Sequence, residues 1–195
     1  MRRSAAALAL VAATLWFSEP APAGAADGQY TVRLAAVAHK GGAPLAAPMI
    51  VKIWARSGAR TGGKVAELSA LPAKLALTPG EYRVLVVHET VRRVQDIEVG
   101  LGGRTTLDLA AGEVELLLRG RPGAAALTGP VVWSVHQYKR GQDVGAHIVD
   151  VTGAPASVRL TAGYYDIVAA HGGQRVNHVI EVIPGQTTDY TLVKR

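Results

Sequence analysis

The sequence predicts an all-β fold built from two tandem β-sandwich repeats. One stretch is present twice, as Leu77-Thr78-Pro79-Gly80-Glu81-Tyr82-Arg83-Val84 and as Leu160-Thr161-Ala162-Gly163-Tyr164-Tyr165-Asp166-Ile167. The copies lie 83 residues apart, which indicates a duplicated unit the size of one small β-domain. Apolar and polar residues alternate along the chain, and turn residues recur roughly every 8 to 12 positions, as in a sandwich. The apolar residues are largely Val, Leu, Ile and Ala with a few Tyr, a composition that favours strands.

The N-terminus predicts a secretory signal peptide over residues 1–25. A basic start, Met1-Arg2-Arg3, precedes an apolar run from Ala5 to Phe17. A retained anchor is the less favoured alternative, because the run is shorter than the roughly 20 residues that cross a bilayer. Ala23-Gly24-Ala25 fits a small-x-small cleavage site, and Ala21-Pro22-Ala23 competes with it. We therefore expect a periplasmic or secreted protein without an integral membrane span.

The rest of the chain carries a modest positive charge and no cysteine. The whole chain has 21 basic and 15 acidic residues, for a net charge of +6. The basic residues are scattered, with short pairs such as Arg92-Arg93 and Lys139-Arg140, so we expect no nucleic acid as partner. Because the chain has no cysteine, thiol chemistry is excluded and the core must hold the fold without disulfides.

The elements of the first repeat follow from alternation and turn residues. Gln29 to Leu34 alternates as a strand with one buried face, and a second strand runs from Met49 to Trp54 with Ile50 or Val51 available for burial. Ser57 to Gly63, with three glycines, predicts a loop. Two short strands, or a strand and a turn, fit residues 64–77 better than one helix, because a proline interrupts that segment.

The doubled motif predicts a turn that feeds a strand. Pro79-Gly80 supplies a fixed φ and then a residue that tolerates positive φ, as a tight turn such as type II requires. Tyr82 begins the strand, the chain breaks near Glu89-Thr90, and a further strand continues to Val99. A glycine turn and a last strand, Thr105 to Leu109, complete about seven strands.

The second repeat is expected to copy this plan. We place the repeats at residues 26–110 and 111–195, with Gly112 opening the second where Gly28 opens the first. Ala110-Ala111 is then the whole linker, so the two sandwiches are expected to stack end to end with restricted rotation.

At the doubled motif the chain resembles a known group of exported bacterial modules. The pattern Leu-Thr-Pro-Gly-x-Tyr-x-Val is similar to that of PEGA-type and carboxypeptidase-regulatory-like modules. The resemblance implies Ig-like or transthyretin-like sandwiches, with Gly80 and Gly163 as structural turn residues. It also implies that Tyr82 and Tyr165 form tyrosine corners, in which each hydroxyl bonds back to the backbone. Such modules have many roles, so the resemblance assigns no function.

Metal binding by histidines is an alternative function that the sequence leaves open. His88 and His171 end equivalent strands and are expected at the rim of each core. With His136 and His178 they could supply imidazoles to copper or zinc. A structural role is favoured, in which each histidine packs half-buried at the end of a sandwich and is hydrogen-bonded locally. The two repeat-related histidines sit in different repeats, and no His-x-His or His-x-x-x-His spacing exists.

No catalytic set can be assembled from the sequence. Gly58 to Lys64 has the spacing of a phosphate-binding loop, but Val65 stands where Ser or Thr would hold magnesium. Acidic residues such as Glu98 and Glu181 alternate with apolar neighbours, as solvent-facing strand residues do. Because no nucleophile, base and orienting group can be proposed together, we expect no enzyme and no cofactor.

Five residues near the second strand of each repeat are candidates for partner binding: Trp54, Arg56, Trp133, Tyr138 and Lys139. Exposed aromatic side chains beside a cation are typical of binding hot spots. Both tryptophans also fit a role as core residues, and we favour the core for Trp133.

Together these observations predict a non-enzymatic accessory or scaffold protein of the cell envelope. We expect it to recognise another envelope protein or a polysaccharide through loops and exposed sheet edges, as a monomer or weak oligomer.

Overall fold

The computed structural model describes residues 28–141 and 144–194, and the predicted signal peptide, residues 1–25, lies outside them. Every regular element of the described part is a β-strand, and the strands form two β-sandwiches. Those residues contain no helix that is long and apolar enough to cross a membrane. The all-β prediction is confirmed.

Eight strands build the first sandwich. They are β1 (Tyr30–Val37), β2 (Pro44–Leu45), β3 (Ala47–Ser57), β4 (Arg60–Leu71), β5 (Ala73–Leu77), β6 (Gly80–His88), β7 (Val91–Val99) and β8 (Gly103–Asp108). One sheet has the antiparallel order β4-β3-β6-β7. The other has β1 at its centre, with antiparallel β2 and β5 along one edge and parallel β8 along the other.

Seven strands build the second sandwich on the same plan. They are β9 (Ala111–Arg119), β10 (Val132–Gln137), β11 (His147–Thr152), β12 (Ala156–Thr161), β13 (Gly163–His171), β14 (Gln174–Val182) and β15 (Thr187–Val193). One sheet has the order β11-β10-β13-β14, and the other places β9 between antiparallel β12 and parallel β15. Each strand of this set has a counterpart in the first sandwich, which supports the duplication.

Each sandwich has its own core, made by alternate residues of the two facing sheets. Leu34 and Ile53 are fully buried in the first, and Leu116 and Trp133 in the second. Burial of one such side chain contributes about 1.5–3 kcal/mol, so the two apolar cores can hold the fold without disulfides.

The structure decides between two alternatives that the sequence left open and corrects two local expectations. Of the two candidate core residues in β3, Val51 is buried and Ile50 is 48% exposed. Residues 57–63 form a β-hairpin rather than a loop, because β4 already begins at Arg60. Gly80 has φ of 153° instead of the roughly 80° of a type II turn, because it already pairs with Val99 as the first residue of β6.

A hydrogen bond from a tyrosine closes the turn between the two sheets in each sandwich. The Tyr82 hydroxyl donates to the carbonyl of Thr78 at 2.7 Å, and the Tyr165 hydroxyl donates to the carbonyl of Thr161 at 2.6 Å. Each bond spans four residues and ties the end of a strand in one sheet to the next strand of the chain, which belongs to the other sheet. This is the arrangement of a tyrosine corner.

Backbone hydrogen bonds join the sandwiches at the short linker. The amide of Ala111 donates to the carbonyl of Ala38 at 2.7 Å. The Ala110 and Ala111 carbonyls accept from the amides of Ala162 at 2.7 Å and of Gly185 at 2.8 Å. These bonds hold the linker against loops of both sandwiches.

Contacts between side chains and backbone extend this junction. Thr90, in the turn between β6 and β7, donates to the carbonyl of Arg159, and Thr161 donates to the carbonyl of Arg92 at 3.3 Å. A side chain on Gly112 would collide with the carbonyl oxygen of Ile183, so this position accepts only glycine without movement of the backbone.

We expect Tyr82→Phe and Tyr165→Phe each to lower the free energy of unfolding by about 0.5–1.5 kcal/mol, because each removes one hydrogen bond to a backbone carbonyl. Urea denaturation followed by circular dichroism measures the loss. Tyr30→Phe is the matched control, because Tyr30 is 38% exposed and its hydroxyl has no hydrogen bond to the described residues. Equal stability of all three variants and the unaltered chain would contradict the role of the corner.

Candidate ligand-binding groove

A groove of about 590 Å³ opens where the two sandwiches meet, and we call it the junction groove. One wall comes from the turn between β6 and β7, and the other from β10, β11 and the turn between β12 and β13. It is lined by Val87, Thr90, Arg92, Gln137, Tyr138, His147, Ile148, Leu160, Thr161, Ala162, Gly163, Tyr164 and Tyr165. Aromatic, basic and neutral hydrogen-bonding groups therefore share one concave surface.

Two exposed tyrosines form the aromatic part of the groove. The rings of Tyr138 and Tyr164 lie edge to face with centroids 6.2 Å apart, and their residues are 42% and 56% exposed. The Tyr138 amide donates to the Tyr164 carbonyl at 3.3 Å, which fixes the two backbones together. A hydrogen bond with Glu181, the cross-strand neighbour, raises the pKa of Tyr164 and keeps its hydroxyl protonated.

The tyrosine corner decides which aromatic residue faces the groove. Tyr165 bonds back to Thr161, and burial raises the pKa of its hydroxyl. Because neighbouring side chains of a strand point to opposite faces, Tyr164 is directed outward. The residue beside the corner thus becomes the exposed one.

Arg92 provides the positive charge of the groove. Its side chain is exposed, and no carboxylate of the described residues lies within 4.0 Å of it. Its carbonyl accepts the hydrogen bond from Thr161 that spans the junction. The position of this cation therefore depends on contact between the two sandwiches.

A serine, an aspartate and a histidine meet beside the groove, on the outer face of β10 and β11. His147 Nε2 lies 3.0 Å from Asp150 Oδ1, and a hydrogen bond with Ser134, followed by that with His147, lowers the pKa of Asp150. In a catalytic triad the histidine stands between the serine and the acid. Here the aspartate stands between the other two, so the histidine contacts the aspartate and not the serine hydroxyl.

The structure corrects the proposed binding role of Trp133. This side chain is fully buried in the second core, and its indole N–H donates to the carbonyl of Gly153 at 2.8 Å. Both its apolar surface and its one polar atom are thus used inside the sandwich, and no partner can reach it.

The other predicted binding residues lie apart from one another. Trp54 is half-buried on the outer face of the first sandwich, where its cross-strand neighbours are Lys64 and Arg83. Arg56 on the same strand is held by Asp96 at 2.9 Å. Tyr138 lines the junction groove.

Lys139 follows Tyr138 and is exposed, but it is not part of the groove lining. Of the five predicted binding residues, the structure therefore places Tyr138 alone in the groove.

The four predicted histidines are not brought together. His88 is buried in the first sandwich near the carbonyl of Pro48, while His171 contacts Lys194 in the second. His136 packs edge to face on His147 with ring centroids 5.2 Å apart, and His178 lies on β14. Within residues 28–141 and 144–194 no three His, Asp or Glu side chains are grouped to hold a metal ion. The structure gives the metal alternative no support.

Two groove residues, Tyr164 and Arg92, were not predicted from the sequence, although the sequence does distinguish the first of them. Tyr164 occupies the place that Glu81 holds in the first copy of the doubled motif. Comparison of the two copies at that position could have singled it out. Arg92 left no such signal, because its importance depends on the contact between the sandwiches.

A larger groove of about 690 Å³ runs between β14 and β15. Its charged and polar lining includes Arg175, His178 and Lys194, and its lining contains no Tyr, Trp or Phe. We favour the junction groove because aromatic groups combined with a few polar groups are typical of ligand sites.

No protein-family profile matches the chain, and no curated protein does either. Solved structures give distant alignments. The Bacillus anthracis TIE protein is 14% identical over 86% of this chain and 34% of its own, with a TM-score of 0.36. A Streptococcal ancillary pilin is 15% identical over 87% of this chain and 63% of its own, with a TM-score of 0.39.

The shaft pilin SpaA from Lactobacillus rhamnosus GG is 10% identical over 86% of this chain and 98% of its own, with a TM-score of 0.37. This chain thus spans about a third of the TIE protein and less than two thirds of the ancillary pilin. Superpositions at these TM-scores carry no inference for this chain.

We expect Asp96→Asn to lower the urea midpoint at neutral pH. Arg83 makes two hydrogen bonds to this carboxylate, at 2.9 and 3.1 Å, and with the charge of Arg56 they lower the pKa of Asp96. The carboxylate therefore stabilises the fold fully above its unfolded pKa of about 3.9, and this contribution is lost as the pH falls through the lower folded pKa.

Denaturation midpoints measured from neutral pH down to acid test this expectation. The difference between Asp96→Asn and the unaltered chain should shrink below a pH of about 4. Glu98→Gln, an exposed position without a cation within 4.0 Å in the described chain, is the control and should change stability little. A difference that stays constant with pH would contradict the ion pair as its cause.

Proposed function

We propose that this chain is a non-enzymatic binding protein of the cell envelope, periplasmic or secreted, that recognises a polysaccharide in its junction groove. The observation that carries the proposal is the exposed pair Tyr138 and Tyr164 inside a groove of about 590 Å³. The predicted signal peptide supports the compartment.

Sugars have the surface that this groove complements. One face of a pyranose ring is made of C–H groups, which pack on aromatic rings, while its hydroxyls require hydrogen-bond partners. The two tyrosines supply the aromatic surface, and Gln137, His147 and Thr161 supply polar groups. Arg92 adds a cation suited to a carboxylate or phosphate on the glycan.

We favour a polysaccharide over the other expected partner, an envelope protein. The aromatic pair lies in a concavity, and concave sites with a few polar groups suit small units such as single sugar residues. Ser134, Asp150 and His147 do not form a nucleophile triad, because the histidine contacts the aspartate rather than the serine.

The proposal includes the division into two domains at residues 26–110 and 111–195. The start of β9 at Ala111 and the two separate cores support this division. The groove needs both domains, because Arg92 comes from the first and both tyrosines come from the second.

Affinity electrophoresis tests the proposal, with gels that contain dextran, glucomannan or alginate, and sedimentation with insoluble peptidoglycan. We expect retardation or co-sedimentation with at least one of these probes. Tyr138→Ala and Tyr164→Ala should each weaken that binding roughly tenfold through loss of aromatic contact.

Tyr30→Ala is the control, because it removes an exposed tyrosine outside the groove. No binding to any of the four probes would overturn the proposal, and so would equal binding by the two groove variants and the unaltered chain. Release of reducing ends from a bound polysaccharide would overturn the non-enzymatic part.

A further inference from the structure

Three cations form a row across the outer face of the first sandwich, and we call it the cationic row. Arg33 on the central strand β1 pairs with Lys74 on β5 and with Arg104 on β8. All three are exposed, and among the described residues no carboxylate lies within 4.0 Å of them. Neighbouring strands are about 4.8 Å apart, so like charges stand side by side.

The second sandwich has carboxylates in the equivalent row. Glu115 on β9 pairs with Ser157 on β12 and with Asp189 on β15, and we call these residues the carboxylate row. Glu115 and Asp189 are exposed, and no cation of the described residues lies within 4.0 Å of either. Glu113, one row away, is different, because Ser157 and Arg159 contact it.

Strand register establishes that the two rows are equivalent. Leu77 and Leu160 hold the same place in the doubled motif, and they pair with Tyr30 and Gly112 respectively. Gly112 therefore stands where Tyr30 stands, and not at the place of Gly28 as expected from the sequence. Three residues further on, Arg33 of the first repeat corresponds to Glu115 of the second.

The like charges within each row repel one another, and the two rows carry opposite charge. Like charges directly opposite on adjacent strands destabilise a sheet, and no described residue of its own sandwich supplies a counter-ion to either row. The side chains around the cationic row are short. Beside the cations lie Ala35, Pro44 and Pro72, which line a shallow groove of about 450 Å³, so a second sheet face can approach closely.

We propose that the occupant of the cationic row is a second copy of this chain, which presents its carboxylate row. The contact is heterologous, because it joins the first sandwich of one copy to the second sandwich of the next. Such a contact either closes into a small ring or continues into a linear array, and every internal copy uses both rows.

The size of the contact predicts weak and salt-dependent association. A three-stranded face six residues long covers roughly 300 Å² per copy, well below the roughly 800 Å² per partner of a stable interface. Charge complementarity must therefore contribute much of the attraction. The Debye length falls from about 30 Å at 0.01 M salt to about 3 Å at 1 M, so high salt should dissociate the copies.

Sedimentation velocity of the purified chain at these two salt concentrations is the first test. We expect the sedimentation coefficient to rise with protein concentration at low salt and to equal that of the monomer at high salt. A chain that stays monomeric at low salt and the highest soluble concentration overturns the proposal. In that case, loss of alginate binding by an Arg33→Gln, Arg104→Gln variant would assign the cationic row to a polyanion instead.

Two neutralised variants give the sharper test. Arg33→Gln with Arg104→Gln weakens the cationic row, and Glu115→Gln with Asp189→Asn removes the charges of the carboxylate row. Each variant alone should be monomeric. An equal mixture should form a complex of one copy of each and grow no further, because only one complementary pair of rows remains.

The control is Arg60→Gln with Arg121→Gln, two exposed cations without a carboxylate within 4.0 Å in the described chain, which removes the same charge outside the row. This variant should associate like the unaltered chain. The proposal fails if the control dissociates equally, if either row variant still associates alone, or if the mixture stays monomeric. Circular dichroism confirms that each variant is folded.

Discussion

The architecture depends on one hydrogen bond used twice, from a motif tyrosine to the carbonyl four residues before it. In each sandwich this bond fixes the crossing of the chain from one sheet to the other. It also sets the phase of the strand that follows. In the second sandwich Tyr165 is turned inward by the bond, and alternation then directs Tyr164 into the groove. A structural clamp and a candidate binding residue are therefore neighbours in the sequence for a physical reason.

The junction makes the two sandwiches into one functional surface. Ala110-Ala111 leaves no free linker, and backbone bonds to Ala38 and Gly185 hold it on both sides. Arg92 and Tyr164 come from different sandwiches, and these bonds bring them to the same groove. Either sandwich alone would present only part of this lining, whereas the charged rows lie entirely within one sandwich each.

Local pattern was enough to predict the all-β fold, and it failed where function depends on distant contacts. Alternation and the doubled motif predict the strands, because both are patterns of residues close together in the sequence. Trp133 was placed correctly as a core residue by the needs of a small sandwich, while its possible binding role was wrong. The junction groove arises from residues far apart in sequence, and the charged rows require strand register. The sequence suggested an alignment of Gly28 with Gly112, and in that alignment Arg33 does not correspond to Glu115.

The first and last strands of each sandwich are parallel neighbours, β1 with β8 and β9 with β15. Tension applied to the two ends of the chain would pull these partners in opposite directions along their length. The hydrogen bonds between them would then be loaded in shear and would have to break together, whereas a hairpin pulled open at one end loses them one by one. Tension along the chain is therefore opposed in each sandwich by a whole strand pairing rather than by single hydrogen bonds.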